Sequence, residues 1–205
     1  MPTVSLTTNA SSGNDAYTQG VSGSFTDGAV DIDAKTDGTW ERAFFFFGSP
    51  SIPSGATIDS ATLTVQSSFF DDMNTDVYAA KGDSPAAPTT GAGINALTES
   101  TASVHWVATD TGTSVDVTSP SLVAVLQEAV DQGTWDDSST IMLIVQGRDN
   151  VNARFRAYDG QYYLGARRPT LDITYTEGSS ALGSTNLIKS TLLSSTLLSS
   201  TLIRS

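Results

Sequence analysis

Residues 61–66 read Ala, Thr, Leu, Thr, Val, Gln. This every-second-residue alternation predicts a strand with one face in a core and the other in water. Residues 3–7 and 170–176 alternate in the same way, and 152–158 alternates with its arginines directed outward. Residues 40–47 are denser. The consecutive Phe44, Phe45, Phe46 and Phe47 put two rings on each face, so that strand must be covered on both sides. The run 141–145, Ile-Met-Leu-Ile-Val, predicts a strand buried on both faces. Shorter β candidates are 29–35, bracketed by Asp27-Gly28 and Asp37-Gly38, and 77–80, 104–107 and 115–117. Residues 9–20 read as polar and turn-like, 49–56 as a Pro/Gly connector, and 83–95 as a Pro/Gly/Ala-rich loop.

Between residues 118 and 133 the period changes. Ser119 can cap a helix and Pro120 suits its first position. Leu122, Val123, Leu126 and Val130 make an apolar stripe ended by Gly133, which predicts one amphipathic helix closing an end of the fold. Eight to ten strands placed before and after a single helix fit an all-β antiparallel sandwich of jelly-roll type better than a parallel α/β sheet. The expected organisation is a sandwich over 1–177, a Gly/Ser/Ala linker over 178–183, and a repetitive C-terminal arm over 184–205.

The arm repeats Ser-Thr-Leu-Leu-Ser with a period of five after a first unit of six. A five-residue step turns about 140° on a helix, so the leucine pairs make no stripe. On a strand an odd period sends equivalent residues to opposite faces. A β-solenoid would gather the leucines, but four units amount to about one coil, too little to bury them. Leu187, Ile188, Leu192, Leu193, Leu197, Leu198, Leu202 and Ile203 are therefore expected to be an assembly surface that needs a partner.

Composition narrows the partners. The chain of 205 residues carries 22 acidic and 10 basic residues, a net charge of −12, which disfavours nucleic acid and anionic membrane surfaces. It has no Cys, so disulfides and thiolate metal sites are excluded. No window reaches the roughly 18 consecutive apolar residues of a membrane helix, and residues 1–7 do not read as a secretory signal.

Catalytic chemistry finds little support. The one histidine, His105, has no nucleophile motif to serve, and the abundant Asp residues sit among Gly, Ser and Thr as turn residues do. Asp72, Asn74 and Asp76 offer alternating oxygen ligands suited to a structural calcium ion. Val77 and Asp83, however, stand where an EF-hand loop has Gly and Glu, and a solvated loop is the plainer reading, so no cofactor is expected. Trp40, Trp106 and Trp135 could stack on sugar rings or fill the core. Tyr162 and Tyr163, in a Gly-bounded loop, are the candidate glycan-binding pair. Gly91-Ala92-Gly93 is not read as a phosphate loop, for it lacks the downstream Lys and helix. Arg148, Arg154, Arg156, Arg167 and Arg168 gather late in an acidic chain, either paired with local Asp or facing an acidic partner.

Three stretches, 42–63, 115–118 leading into the helix, and 155–175, together resemble the lectin-like jelly-roll domains of the DNRLRE family and its carbohydrate-binding-module relatives. The short motif that names the family is absent. Such domains occur as modules of secreted bacterial proteins and as stand-alone proteins in tailed-phage genomes, so the resemblance implies the fold more firmly than the role. The resulting expectation is a non-enzymatic virion protein of a tailed bacteriophage, a capsid decoration or tail appendage. It would be held by its arm to copies of itself, a trimer first, and to other virion proteins. The alternative is an extracellular or cell-surface module that binds polysaccharide.

Overall fold

The structure is a computed structural model that describes residues 1–8, 15–19, 24–27, 31–35, 42–68, 72–82, 84–109, 112–148, 154–158 and 167–178. The described strands are β1 (Thr3–Thr7), β2 (Asp15–Gln19), β3 (Ser24–Asp27), β4 (Asp31–Lys35), β5 (Arg42–Gly48), β6 (Thr57–Gln66), β7 (Met73–Ala79), β8 (Val104–Ala108), β9 (Asp116–Thr118), β10 (Ile141–Gly147), β11 (Arg154–Tyr158) and β12 (Thr170–Thr176). Two helices accompany them, α1 (Gly91–Asn95) and α2 (Val123–Val130).

One sheet has the order β1-β12-β6-β9 and the other β3-β2-β5-β10-β7-β8, while β11 and β4 form a separate ribbon. Numbering β1, β5, β6, β7, β8, β9, β10 and β12 as first to eighth, the sheets run first-eighth-third-sixth and second-seventh-fourth-fifth. That is the strand order of a jelly roll, with every one of these pairs antiparallel.

Register explains why alternation was so readable. Leu6 lies opposite Leu171, which lies opposite Leu63, and this row faces the other sheet. The next row, Thr7, Thr170, Thr64 and Thr118, faces outward. The interior between the sheets also takes Phe45, Val77, Trp106, Leu143 and Val145, with Leu122, Val125 and Leu126 from around α2 closing one end. Each such large side chain contributes roughly 1.5–3 kcal/mol on full burial. A second cluster, Ala16, Phe44, Ala80, Ile94, Met142 and Ile144, lies on the far face of β5 and β10. The phenylalanine run is thus covered on both sides, as its sequence demands.

Several elements differ from the sequence expectation. Residues 9–20 contain β2, which pairs with β3 and β5. Its sequence, Asp-Ala-Tyr-Thr-Gln, is short and polar, so pairing with an established neighbour outweighs its weak pattern. The loop 83–95 contains α1, capped by the Thr90 hydroxyl accepting from Gly93 N–H, with Ile94 wholly buried beneath it. The strand expected at 77–80 is the longer β7, because Met73 and Thr75 extend its buried face. Helix α2 starts at Val123, later than Pro120, and lacks a side-chain cap. The Ser119 hydroxyl instead accepts from Leu63 N–H at 3.0 Å and donates to Pro120 C=O at 2.8 Å, tying the chain to β6 before the helix begins.

Gly178 follows β12 and lies so close to the backbone of Gly55 that a Cβ there would strike the Gly55 carbonyl. Gly55 itself has φ 75°, in the turn that precedes β6. The last described residue is therefore held against the body of the sandwich. The rest of the linker and the whole arm, 184–205, lie outside the described residues.

A candidate binding cleft beside the β6–β9 edge

The outward face of the sheet holding β6, β9 and β12 is built from hydroxyl side chains, because the alternate residues of these strands are Thr, Ser, Asp and Gln. Thr64 and Thr118 hydroxyls lie 3.0 Å apart across the β6–β9 pair, and Thr3 and Thr174 lie 3.4 Å apart across β1–β12. Where β6 ends and β9 and β12 begin, this surface opens into a polar cleft of about 230 Å³. It is lined by Thr64, Val65 and Gln66 of β6, Asp116 of β9, and Arg167, Arg168 and Thr170 around the start of β12.

The walls are held by specific contacts. Gln66 Nε2 donates to Asp116 Oδ1 at 3.2 Å. Arg167 Nη1 donates to Ser114 Oγ at 2.8 Å, and its guanidinium lies 4.4 Å from the centre of the Tyr158 ring, a cation–π distance. Ser114 has φ 63°, a left-handed conformation for a residue with a side chain, and its N–H donates to Ser67 C=O at 2.8 Å. Such a conformation costs about 1–3 kcal/mol, so the surrounding structure must enforce it.

Two buried atoms of the lining have no hydrogen-bond partner among the described residues, the acceptor Gln66 Oε1 and the donor Arg168 Nε. Ser68 Oγ, just past the end of β6, is a third. Leaving a buried polar group unpaired costs about 1–3 kcal/mol, a penalty that a ligand supplying the missing partners would relieve. A carboxylate and two guanidinium groups set among hydroxyls can hold and orient a small polar molecule. Among the described residues, the cleft lining holds no paired nucleophile and base.

The residues singled out by sequence fall in different places. Tyr162, Tyr163 and Trp40 lie outside the described residues, as do Leu187, Ile188, Leu192, Leu193, Leu197, Leu198, Leu202 and Ile203. Trp106 and Trp135 are core residues, 1% and 3% exposed, and Trp135 Nε1 donates to Ile52 C=O at 2.9 Å. They offer no stacking surface. His105 is exposed on the edge strand β8, its Nε2 donating to Asn74 Oδ1 at 2.7 Å.

Asn74 and Asp76 lie on the outer face of strand β7, not in a loop, which spaces them roughly 7 Å apart along the chain. Asp72 precedes that strand, and the Asp76 carboxylate pairs with Arg148 at 3.3 Å. No cluster of three or more His, Cys, Asp or Glu able to hold a metal ion occurs among the described residues.

The late arginines divide. Arg148 pairs across strands with Asp76, Arg154 and Arg156 lie on β11, and Arg167 and Arg168 enter the cleft. Gln66, Asp116 and Ser114 went unnoticed in the sequence. The arginine cluster in an acidic chain was the signal that pointed towards them.

No helix among the described residues is long and apolar enough to cross a membrane. No family model matches the chain, and no curated protein matches it. Among solved structures, the chain has 16% identity and a TM-score of 0.24 with a structure of the Gx strain of infectious bursal disease virus, covering 88% of this chain and 37% of that one. The VP2 subviral particle of infectious bursal disease virus gives the same identity and TM-score, with 87% and 38% covered. The chain thus spans well under half the length of either structure's chain.

Proposed function

We propose that the protein is a non-catalytic structural module, a jelly-roll sandwich carried in a virion as a capsid decoration or tail appendage and attached through its C-terminal arm. The carrying observation is the arm itself. Its eight Leu and Ile residues recur at a step that gives neither a helix stripe nor a strand face. Burial of a leucine is worth roughly 1.5–3 kcal/mol, so leaving these side chains in water forfeits on the order of 10 kcal/mol before ordering entropy is subtracted. Association with copies of the same chain, a trimer first, or with other virion proteins recovers that energy.

Replacing Leu192, Leu193, Leu197 and Leu198 together with Ser in the full chain tests this role. The wild-type protein should sediment as an oligomer, and the variant as a monomer with the same melting temperature. A monomeric wild type, or a variant that still oligomerises, would move the assembly contact elsewhere.

A second reading, recognition of surface polysaccharide, is favoured by the polar cleft and its unpartnered wall atoms. The two readings are compatible, since a displayed structural module can carry a binding site.

A further inference from the structure

We infer that the cleft between Asp116 and Arg168 is a saccharide subsite for a neutral sugar unit that presents two adjacent hydroxyls. The inference rests on the polysaccharide reading and gives it a place and a ligand chemistry. It starts from the mismatch in the walls: Gln66 Oε1 requires a donor and Arg168 Nε requires an acceptor. A hydroxyl both donates and accepts, so one vicinal diol serves both needs. Sulfate or a carboxylate supplies acceptors only and leaves Gln66 unpaired, whereas a cation supplies nothing to Arg168.

The two orphan atoms are shielded from solvent, so pairing requires the terminal groups of Gln66 and Arg168 to turn towards the ligand. Turning the Gln66 amide also frees Asp116 Oδ1, which it now occupies at 3.2 Å, to accept a second hydroxyl. The Thr64 and Thr170 hydroxyls stand in the same walls and can bond in either direction.

Size supports a single sugar unit. The lining sets Arg167 and Arg168 against one Asp116, so selection of a neutral unit rests on the donor–acceptor demand of Gln66 and Arg168, while a chain of net charge −12 repels a long polyanion. A volume of about 230 Å³ lies below the roughly 300 Å³ at which drug-sized pockets begin, which suits one sugar ring. No aromatic ring among the described residues lines the cleft, and a single subsite of this size should bind weakly. Strong attachment to a polysaccharide then depends on several copies binding together, which an oligomer provides.

The test titrates the full-length protein by calorimetry with the methyl glycosides of glucose, galactose and mannose, with sodium glucuronate and with sodium sulfate. At least one neutral glycoside should saturate with a dissociation constant in the millimolar range and little dependence on salt. Arg168→Lys and Asp116→Asn should each weaken it about tenfold with unchanged melting temperature, the loss expected for a hydrogen bond to a charged group. Thr170→Val, which keeps its volume, should weaken binding less and serves if either charged-site variant fails to fold.

If no glycoside saturates, both the subsite and the polysaccharide reading fall. Saturable binding that none of the variants alters overturns the subsite and leaves that reading standing. Tighter binding of glucuronate or sulfate than of every neutral glycoside overturns the diol assignment.

Discussion

Arg42 shows how much structure one side chain can organise. It opens β5, its side chain is only 11% exposed, and it reaches across to the end of α1. Nη1 donates to the carbonyls of Ile94 and Asn95 at 3.3 and 3.0 Å, and Nη2 donates to Leu97 C=O at 3.3 Å and to Glu99 at 2.5 Å. The Ile94 and Asn95 carbonyls end a five-residue helix whose last C=O groups have no partner within the helix, and Leu97 lies just past it. Replacing Arg42 with Met should lower unfolding free energy by about 3 kcal/mol, because one carboxylate and three carbonyls lose a shared donor. A urea melt that moves by less than about 1 kcal/mol would show that water takes over those bonds.

Nothing at position 42 in the sequence announced this role, since its partners lie 52 to 57 residues away. The phenylalanines beside it were legible because their pattern alone requires cover on both faces. Gln66 and Asp116 were not, for a Gln and an Asp on exposed strand faces look ordinary until the fold sets them beside Arg168.

At the scale of elements, α2 is fastened to the opposite sheet through Glu128. Its carboxylate accepts the N–H groups of Thr101 and Ala102, both at 2.7 Å, with Lys81 Nζ 3.7 Å away. The Ala102 and Thr101 backbone bonds hold the Glu128 carboxyl below its ordinary value of 4.5. Asp136, past the end of α2, is likewise held below 3.8, first by the Ser138 hydroxyl and then by the Ser138 N–H.

A carboxyl depressed by folding contributes stability that is complete above its unfolded value and disappears as pH falls through its folded value. The melting temperature should thus be level from neutrality to about pH 5 and decline in more acid solution, with Glu128→Gln less stable at neutrality and less sensitive to acid. An unchanged acid profile in that variant would place the titration elsewhere.

Element existence followed from periodicity where a strand had one wet face, as in β6 and β12. It was missed in β2 and α1, where the segment follows a neighbour more than its own pattern. The start of α2 was misplaced because Ser119 bonds to β6 and caps no helix.

The whole molecule is a jelly-roll body followed in sequence by the arm proposed above to mediate assembly. Gly178 governs the junction. Gly178→Val should cost about 1–3 kcal/mol, because a side chain there must displace the Gly55 turn. A melting temperature equal to wild type would mean that the chain slides aside instead.

The same junction gives the molecule a direction. The cleft opens at Thr170, where β12 begins, and the last described residue, Gly178, lies just past the other end of that strand. The seven residues of β12 between them make a rigid spacer of about 20 Å. On the reading proposed above, a body gripped at its Gly178 end would hold the cleft about 20 Å from the grip. Anchorage and recognition, if both hold, would then be separated by one strand's length.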